Sequence, residues 1–317
     1  MATKRAKFLV LALVIIALVM SSASLTGAQE KKVLRTAYLP GDVIIDPSLG
    51  SWMNEIQLIN MMYTGLTTLH VETVAIQPGL ATEWTVSDDG LTYTFTLLPD
   101  VPWVRYDPAA GEVVQVTDEN GDVRVVTAHD LVYGITRTLD PATGAQYGPT
   151  LGRWVVNGIE KLAGEDVELG VRAIDDYTLE IQTPQPAGFL GMIYGMWMAR
   201  PQPQWAIEEY GDAWTEAGSI QTYGPYTVKS WEHDVQIVII KNPFWPGTDT
   251  VQPAIIDEFE FTYLEDPAML AAFEAGELDW IPTVPLPDLD RLRVSYPEEL
   301  RIASDICSYY YGFNVEL

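Results

Sequence analysis

The chain has 317 residues, 48% of them hydrophobic, and a formal net charge of −26 from 44 acidic and 18 basic residues. That length exceeds what one hydrophobic core usually serves, so we expect at least two lobes. The acidic excess disfavours nucleic acid as a partner, because phosphate binding needs a basic surface. It is compatible with attraction of cationic solutes and equally with an ordinary solvated surface.

The first residues have the pattern of an export signal. Basic residues precede an apolar run from Phe8 to Met20, and a small-residue stretch follows, ending at Ala28. This pattern predicts a secretory signal peptide over residues 1–28, since the run is shorter than the roughly 20 residues that span a bilayer. An uncleaved anchor is the alternative. No cysteine stands at the cleavage region, so we expect an exported, soluble protein without a lipid anchor.

Strand and helix patterns alternate along the chain and predict an α/β fold. The first half contains a strand at 33–39, a loop at 41–51, a helical pattern at 52–63 and a hairpin at 83–97 that turns at Asp89-Gly90. Residues 101–126, with a central Asn120-Gly121, predict an additional β-hairpin.

The second half begins with a helix at 128–139, where Thr127 and Asp130 form a predicted capping box. A second hairpin is expected at 171–181. A third follows within 220–245, where Gly224-Pro225 bends the chain, and a helix starts at Asp266-Pro267 and ends near Gly276.

Five segments carry a resemblance to a known family. They are the GPY…W…NPFW pattern from Gly224 to Trp245, LATEWTVSDDGLTYTFTL at 80–97, TAHDLVY at 127–133, VRAIDDYTLEI at 171–181 and AAFEAGELD at 271–279. In this order they resemble the extracellular solute-binding proteins of ABC importers, family 5, the oligopeptide, dipeptide and nickel class. The oligopeptide-binding branch fits best.

The resemblance implies a periplasmic-binding-protein-like fold of type II, class C, with two lobes. Its members are much longer, so the chain is interpreted as an amino-terminal fragment that lacks the second lobe. By analogy, residues 29–63 and 193–305 form the main domain of the first lobe. Residues 64–192 form an inserted smaller domain, and residues 306–317 begin the crossover to the missing lobe.

The same resemblance implies a set of ligand-contacting residues. The loop that follows Asp46-Pro47 supplies Ser51, Trp52 and Met53, of which Trp52 stacks on a ligand or only packs at the helix start. Tyr147 either faces the ligand or closes the lobe surface. The further candidates are Thr222, Tyr223 and Gly224, whose backbone groups would pair with an extended peptide, although relatives often have Asn at the position of Tyr223.

Three more candidates lie at the crossover. Asp305 and Tyr310 match cleft-facing positions, and Asp305 either holds a ligand ammonium by a charge-assisted hydrogen bond or is an ordinary solvent-exposed carboxylate. Cys307 is the only cysteine of the chain. In some relatives a cysteine here bonds to the second lobe, which implies a disulfide partner beyond Leu317; a buried small residue is the alternative.

The sequence contains no recognisable catalytic signature. Nucleophile elbow, zinc pair, phosphate loop and dinucleotide fingerprint are all missing, and the three histidines are far apart, so no cofactor or metal is expected. The resemblance implies a monomeric receptor that closes around an oligopeptide and delivers it to an ABC-transporter membrane permease. Trp52, Trp103 and Trp154 keep an oligosaccharide ligand open, and a secreted glycoside hydrolase with a carboxylate pair is the alternative of another class.

Overall fold

Two four-stranded sheets organise the part of the chain that the structure, a computed structural model, describes: residues 31–302 and Phe313. The predicted signal peptide, Asp305, Cys307 and Tyr310 lie outside these described residues. Two short hairpins and eight α-helices complete the described part.

The first sheet joins the beginning of the chain to its later part. Its strands, in spatial order, are β1 (Val33–Tyr38), β12 (Glu258–Tyr263), β11 (Gln236–Lys241) and β10 (Tyr226–Glu232). β1 runs parallel to β12, with Val33 opposite Glu258, and the other neighbours are antiparallel. Ile237, Ile239 and Phe261 are buried, which explains the β-branched run in β11. The predicted hairpin within 220–245 is confirmed.

The second sheet consists of two sequence-local hairpins placed side by side. Its order is β4 (Ala81–Val86), β5 (Thr92–Leu97), β9 (Thr178–Gln182) and β8 (Val171–Asp175), antiparallel throughout. Gly90 has φ +73° at the turn between β4 and β5, a conformation that favours glycine. Both predicted hairpins are confirmed.

The helices pack around these sheets and agree with the predicted positions at 52–63, 128–139 and 266–276. They are α1 (Met53–Met62), α2 (Ala128–Thr138), α3 (Gly148–Gly152), α4 (Gly158–Leu162), α5 (Leu190–Tyr194), α6 (Gln204–Tyr210), α7 (Asp266–Glu274) and α8 (Leu289–Ser295). In residues 31–302, none of them is long and apolar enough to cross a membrane.

The excursion at 101–126 contains a hairpin, but its main turn is not at Asn120-Gly121. The ladder pairs β6 (Val104–Asp107) with β7 (Glu112–Gln115) around Gly111. Asn120-Gly121 forms a second, tighter turn, because the Asp118 carboxylate accepts the backbone N–H of Asn120 and of Asp122, both at 2.9 Å. The remaining short hairpin joins β2 (Thr67–Leu69) to β3 (Ile76–Pro78).

One continuous buried cluster contains side chains from both sheets, such as Phe95 and Phe261, together with Trp103 and Tyr223 from the segments between them. All strands of the first sheet come from 29–63 and 193–305, and all strands of the second come from 64–192. We therefore propose the division expected from the sequence, as two parts of one lobe that share a core.

A buried carboxylate caps α2. The Asp130 Oδ2 atom accepts the backbone N–H of Thr127 at 2.8 Å, the Thr127 hydroxyl at 3.2 Å and the Trp103 indole N–H at 3.4 Å. The predicted capping box is thus confirmed. Burial nevertheless outweighs these hydrogen bonds and raises the pKa of Asp130 to about 6.

We predict that Asp130 makes stability fall as pH rises. The native state holds the Asp130 proton more tightly than the unfolded chain, whose pKa is 3.8. The contribution is therefore largest below pH 4 and is lost as pH rises through 6. Asp130→Asn keeps an acceptor for Thr127 and removes the titration. Urea unfolding should show the stability of the natural protein, relative to the variant, falling by about 2–3 kcal/mol between acidic and neutral pH. A constant difference would contradict the prediction.

Candidate functional site

The loop that leads into α1 is held at its end by Glu55. This buried carboxylate accepts three backbone N–H groups, from Ile44 at 2.9 Å, Ser51 at 2.7 Å and Trp52 at 2.8 Å. Three donors on one side chain fix the path of the backbone just before the helix begins.

The middle of the same loop is held by Asp46. The Arg137 guanidinium donates two hydrogen bonds to its carboxylate, at 2.8 and 2.7 Å, and the Trp214 indole N–H donates a third at 3.0 Å. The Asp46 carbonyl accepts the backbone N–H of Leu49 and of Gly50. The loop is therefore a rigid element and not a free connection.

The Asp46–Arg137 ion pair belongs to a buried polar network that reaches the chain after α5. Arg137 also donates to Gln202 at 2.8 Å, Gln202 donates to the Ser48 hydroxyl at 2.7 Å, and the Thr138 hydroxyl donates to the Met198 carbonyl at 2.9 Å. Burial acts to lower the pKa of Arg137, but the hydrogen bonds and charge of Asp46 outweigh it and the pKa is raised.

These supports present two large apolar side chains to the surface. Trp52 is 72% exposed and Met53 is 79% exposed, directly after the Glu55-anchored turn. Ser51 is half-buried, and its backbone N–H is bonded to Glu55. We call Ser51, Trp52 and Met53 together the Trp52 surface.

Tyr147 lies near the Trp52 surface. Its ring packs edge-on against Trp197, with ring centroids 4.8 Å apart, and the Trp197 indole N–H donates to the Gly50 carbonyl at 2.7 Å. Tyr147 is half-buried at the start of α3. The sequence-predicted residues Ser51, Trp52, Met53 and Tyr147 therefore share one region.

The segment Thr222–Gly224 is buried, and most of its backbone groups are bonded within the chain, so its contact with a ligand stays a prediction. Thr222 exchanges both backbone hydrogen bonds with Val104, at 2.7 and 2.9 Å, and the Gly224 N–H donates to the Met62 carbonyl at 2.8 Å. The Tyr223 hydroxyl donates to the Thr64 carbonyl at 2.7 Å. These backbone and hydroxyl groups are therefore bonded to other parts of the same chain. The segment lies at the end of α1 opposite to the Trp52 surface.

Two further expectations concern aromatic and histidine side chains. Trp103 is fully buried, so it offers no ring face to a sugar, and Trp154 packs against Phe189 with ring centroids 5.0 Å apart.

Within residues 31–302, no group of three or more metal-ligating side chains converges. His129 and His233 instead face Asp176 and Glu216.

Sequence reasoning missed the residues that build the site. Glu55 was recognisable, because a glutamate at the third position of a helix is half of a capping box. Arg137 and Arg200 were not, because nothing in the sequence separates a buried arginine from an exposed one. Arg200 lines a cavity of about 340 Å³ between α1, β2 and the chain after α5, and none of the sequence-predicted residues lines it.

A comparison with protein families gives a match over most of the chain. The sequence model of the bacterial extracellular solute-binding proteins, family 5, middle region, matches residues 75–316. The periplasmic oligopeptide-binding protein OppA of Escherichia coli is 31% identical over 245 residues, which are 75% of this chain and 41% of that protein. The probable deoxycholate-binding periplasmic protein YgiS of E. coli is 26% identical over 278 residues, 86% of this chain and 48% of its own length.

Comparison with solved structures leads to the same family of binding proteins. Haemophilus influenzae OppA in complex with the peptide RPPGFSPFR superposes with a TM-score of 0.72 and 27% identity, covering 84% of this chain and 49% of that one. The match confirms the expected type II periplasmic-binding-protein-like fold. The chain spans about half the length of the relatives it matches.

We predict that Arg137→Met strongly destabilises the fold, because it leaves the buried Asp46 carboxylate without its ion-pair partner. The expected loss is about 3–5 kcal/mol in the free energy of unfolding, measured by urea denaturation. Arg172→Met is the matched control. Arg172 also pairs with a carboxylate, Glu180, at 2.8 Å, but its side chain is 63% exposed. Its loss should stay below about 1 kcal/mol, and similar losses in the two variants would contradict the prediction.

Proposed function

Because the chain belongs to the bacterial extracellular solute-binding proteins of family 5, we propose that it is the receptor of an ABC importer and that its ligand is an oligopeptide. The family is one of binding proteins and not of enzymes. The relatives named OppA are oligopeptide-binding proteins, and one of them has been solved with a nonapeptide. These relationships support the ligand class.

The observation that carries the proposal for this chain is the Trp52 surface. The side chains of Trp52 and Met53 are exposed to solvent. The loop that carries them is fixed by two buried carboxylates, Asp46 and Glu55. Exposed apolar groups on a fixed frame are typical of recognition surfaces. A tryptophan offers a broad ring face, and an unbranched methionine adapts to different partners. Such a pair suits a peptide whose side chains vary.

The mechanism in this proposal is lobe closure. The ligand binds between the lobe described here and a second lobe, and binding shifts an open–closed equilibrium about the crossover at residues 306–317. The closed, monomeric receptor then binds the membrane permease. Export by the predicted signal peptide brings the receptor to the outer side of that membrane. Asp305 and Tyr310 remain proposed ligand contacts at the crossover, and Cys307 remains a proposed disulfide partner.

An oligosaccharide is the second candidate ligand, and the exposed ring of Trp52 is the observation that favours it. Sugar rings stack on exposed tryptophan faces, and family membership does not fix the ligand, since one relative is named as probably deoxycholate-binding. A glycoside hydrolase would instead require turnover by a carboxylate pair.

Native mass spectrometry of the protein expressed from its complete reading frame tests the ligand class. We expect a bound mass that is released on denaturation and fragments in amino-acid steps. Fragmentation of the released ligand in hexose steps would identify it as an oligosaccharide and would contradict the peptide proposal. Turnover of a chromogenic glycoside would overturn the receptor proposal.

We predict that Trp52→Ala weakens binding of the released ligand about tenfold, because it removes one exposed ring from the contact. Isothermal titration measures the affinity. Trp280→Ala is the control, since Trp280 is also exposed, at 44%, but lies beyond α7, far along the chain. Both variants should unfold at nearly the temperature of the natural protein. Unchanged affinity in Trp52→Ala would remove the Trp52 surface from the binding site without affecting the receptor assignment.

A further inference from the structure

Arg200 is a buried cation without a carboxylate partner among the described residues. The residue is only 5% exposed, and within residues 31–302 no Asp or Glu oxygen lies within 4 Å of its guanidinium. One terminal nitrogen donates to the Gly195 carbonyl and the other to the Asn60 side-chain oxygen at 2.7 Å. Burial lowers the pKa of Arg200 to about 10, so it stays charged at neutral pH.

The surrounding backbone makes room for this cation. A side chain at Gly65 would clash with the Arg200 guanidinium, and the Gly195 carbonyl lies against the same group. The missing side chain of Gly65 leaves space for the Arg200 guanidinium, and the Gly195 carbonyl bonds it there. In this buried position the desolvation of the charge is costly. A bound anion offsets this desolvation cost, because it accepts charge-assisted hydrogen bonds from the guanidinium.

Two polar atoms beside this cation lack a hydrogen-bond partner. The Arg200 Nε–H and the Thr64 hydroxyl are both buried and unsatisfied, and both residues line the 340 Å³ cavity. A buried polar atom that stays unpaired destabilises the fold, because it has lost its water partners without gaining a replacement. Both residues belong to the lining of one cavity, next to an unbalanced charge, which points to a ligand that accepts hydrogen bonds and carries negative charge.

The rest of the cavity lining is largely apolar. Ile56, Met192 and Met196 line its wall, and Asn60 is exposed at its edge. The volume lies at the lower end of the range for small-molecule sites, about 300–1,000 Å³. An inorganic anion would leave this apolar wall without a partner, whereas an organic acid would cover it.

We propose that the cavity between α1, β2 and the chain after α5 binds a small organic carboxylate, with Arg200 as its counter-ion and Thr64 as a second hydrogen-bond partner. Ser51, Trp52 and Met53 do not line this cavity, although Trp197 contacts both it and Tyr147, and the proposal does not depend on the proposed receptor function. Its occupant bridges residues before and after the second sheet in the chain, so binding should stabilise the fold.

Benzoate is the probe, because it joins a carboxylate to a compact apolar body. Titration calorimetry and thermal unfolding of the purified protein should give a Kd of about 1 mM or tighter and a higher unfolding temperature. Benzamide, which has the same shape without the charge, should bind at least about tenfold more weakly. Arg200→Met should abolish the response to benzoate, and Arg153→Met, which removes an exposed arginine, should leave it unchanged.

Thr64→Val keeps the cation and removes only the unpaired hydroxyl, so it tests the site even if Arg200→Met fails to fold. We expect it to weaken benzoate binding about threefold or more. Equal binding of benzoate and benzamide, or no saturable benzoate binding, overturns the proposal and leaves water as the partner of these atoms. If phosphate binds as tightly as benzoate, the claim that the ligand is an organic carboxylate is overturned, and the cavity is a site for inorganic anions.

Discussion

The ion pair between Asp46 and Arg137 connects three parts of the chain that sequence alone keeps apart. Asp46 lies in the loop before α1, Arg137 lies on α2, and the network continues through Gln202 after α5. Neither charge tolerates burial alone, so each part is held in place by the other two. The position of the middle of the loop depends on this contact, and Glu55 fixes the end of the loop, where Trp52 is presented.

Local signals in the sequence predicted much of the fold. Asp89-Gly90 and Gly224-Pro225 mark turns by their chemistry, and the capping box at Thr127 marks a helix start, so these elements need no knowledge of distant contacts. The excursion at 101–126 contains two competing turn signals, at Gly111 and at Asn120-Gly121. The structure closes the longer ladder around Gly111, and local turn chemistry does not distinguish the two positions.

The site was less predictable than the fold. Trp52 and Met53 were expected from a resemblance, and their exposure agrees with a surface role, while Thr222–Gly224 was expected to offer a backbone that is in fact paired with Val104 and Met62. Residue type indicates what a side chain can bond. Whether its partner comes from a ligand or from another part of the same chain is settled only by tertiary contacts.

The parallel pairing of β1 with β12 has a consequence for the order of folding. The two strands are separated by more than 200 residues, with Val33 opposite Glu258, so closing this pair carries the entropy cost of a very long loop. The hairpins of the second sheet need only short closures and can form early. β1 is therefore expected to pair after these hairpins, because until residues 258–263 are available its polar backbone edge has no partner in this sheet. A chain that folds in this order keeps its amino-terminal strand unpaired until residues 258–263 have been synthesised.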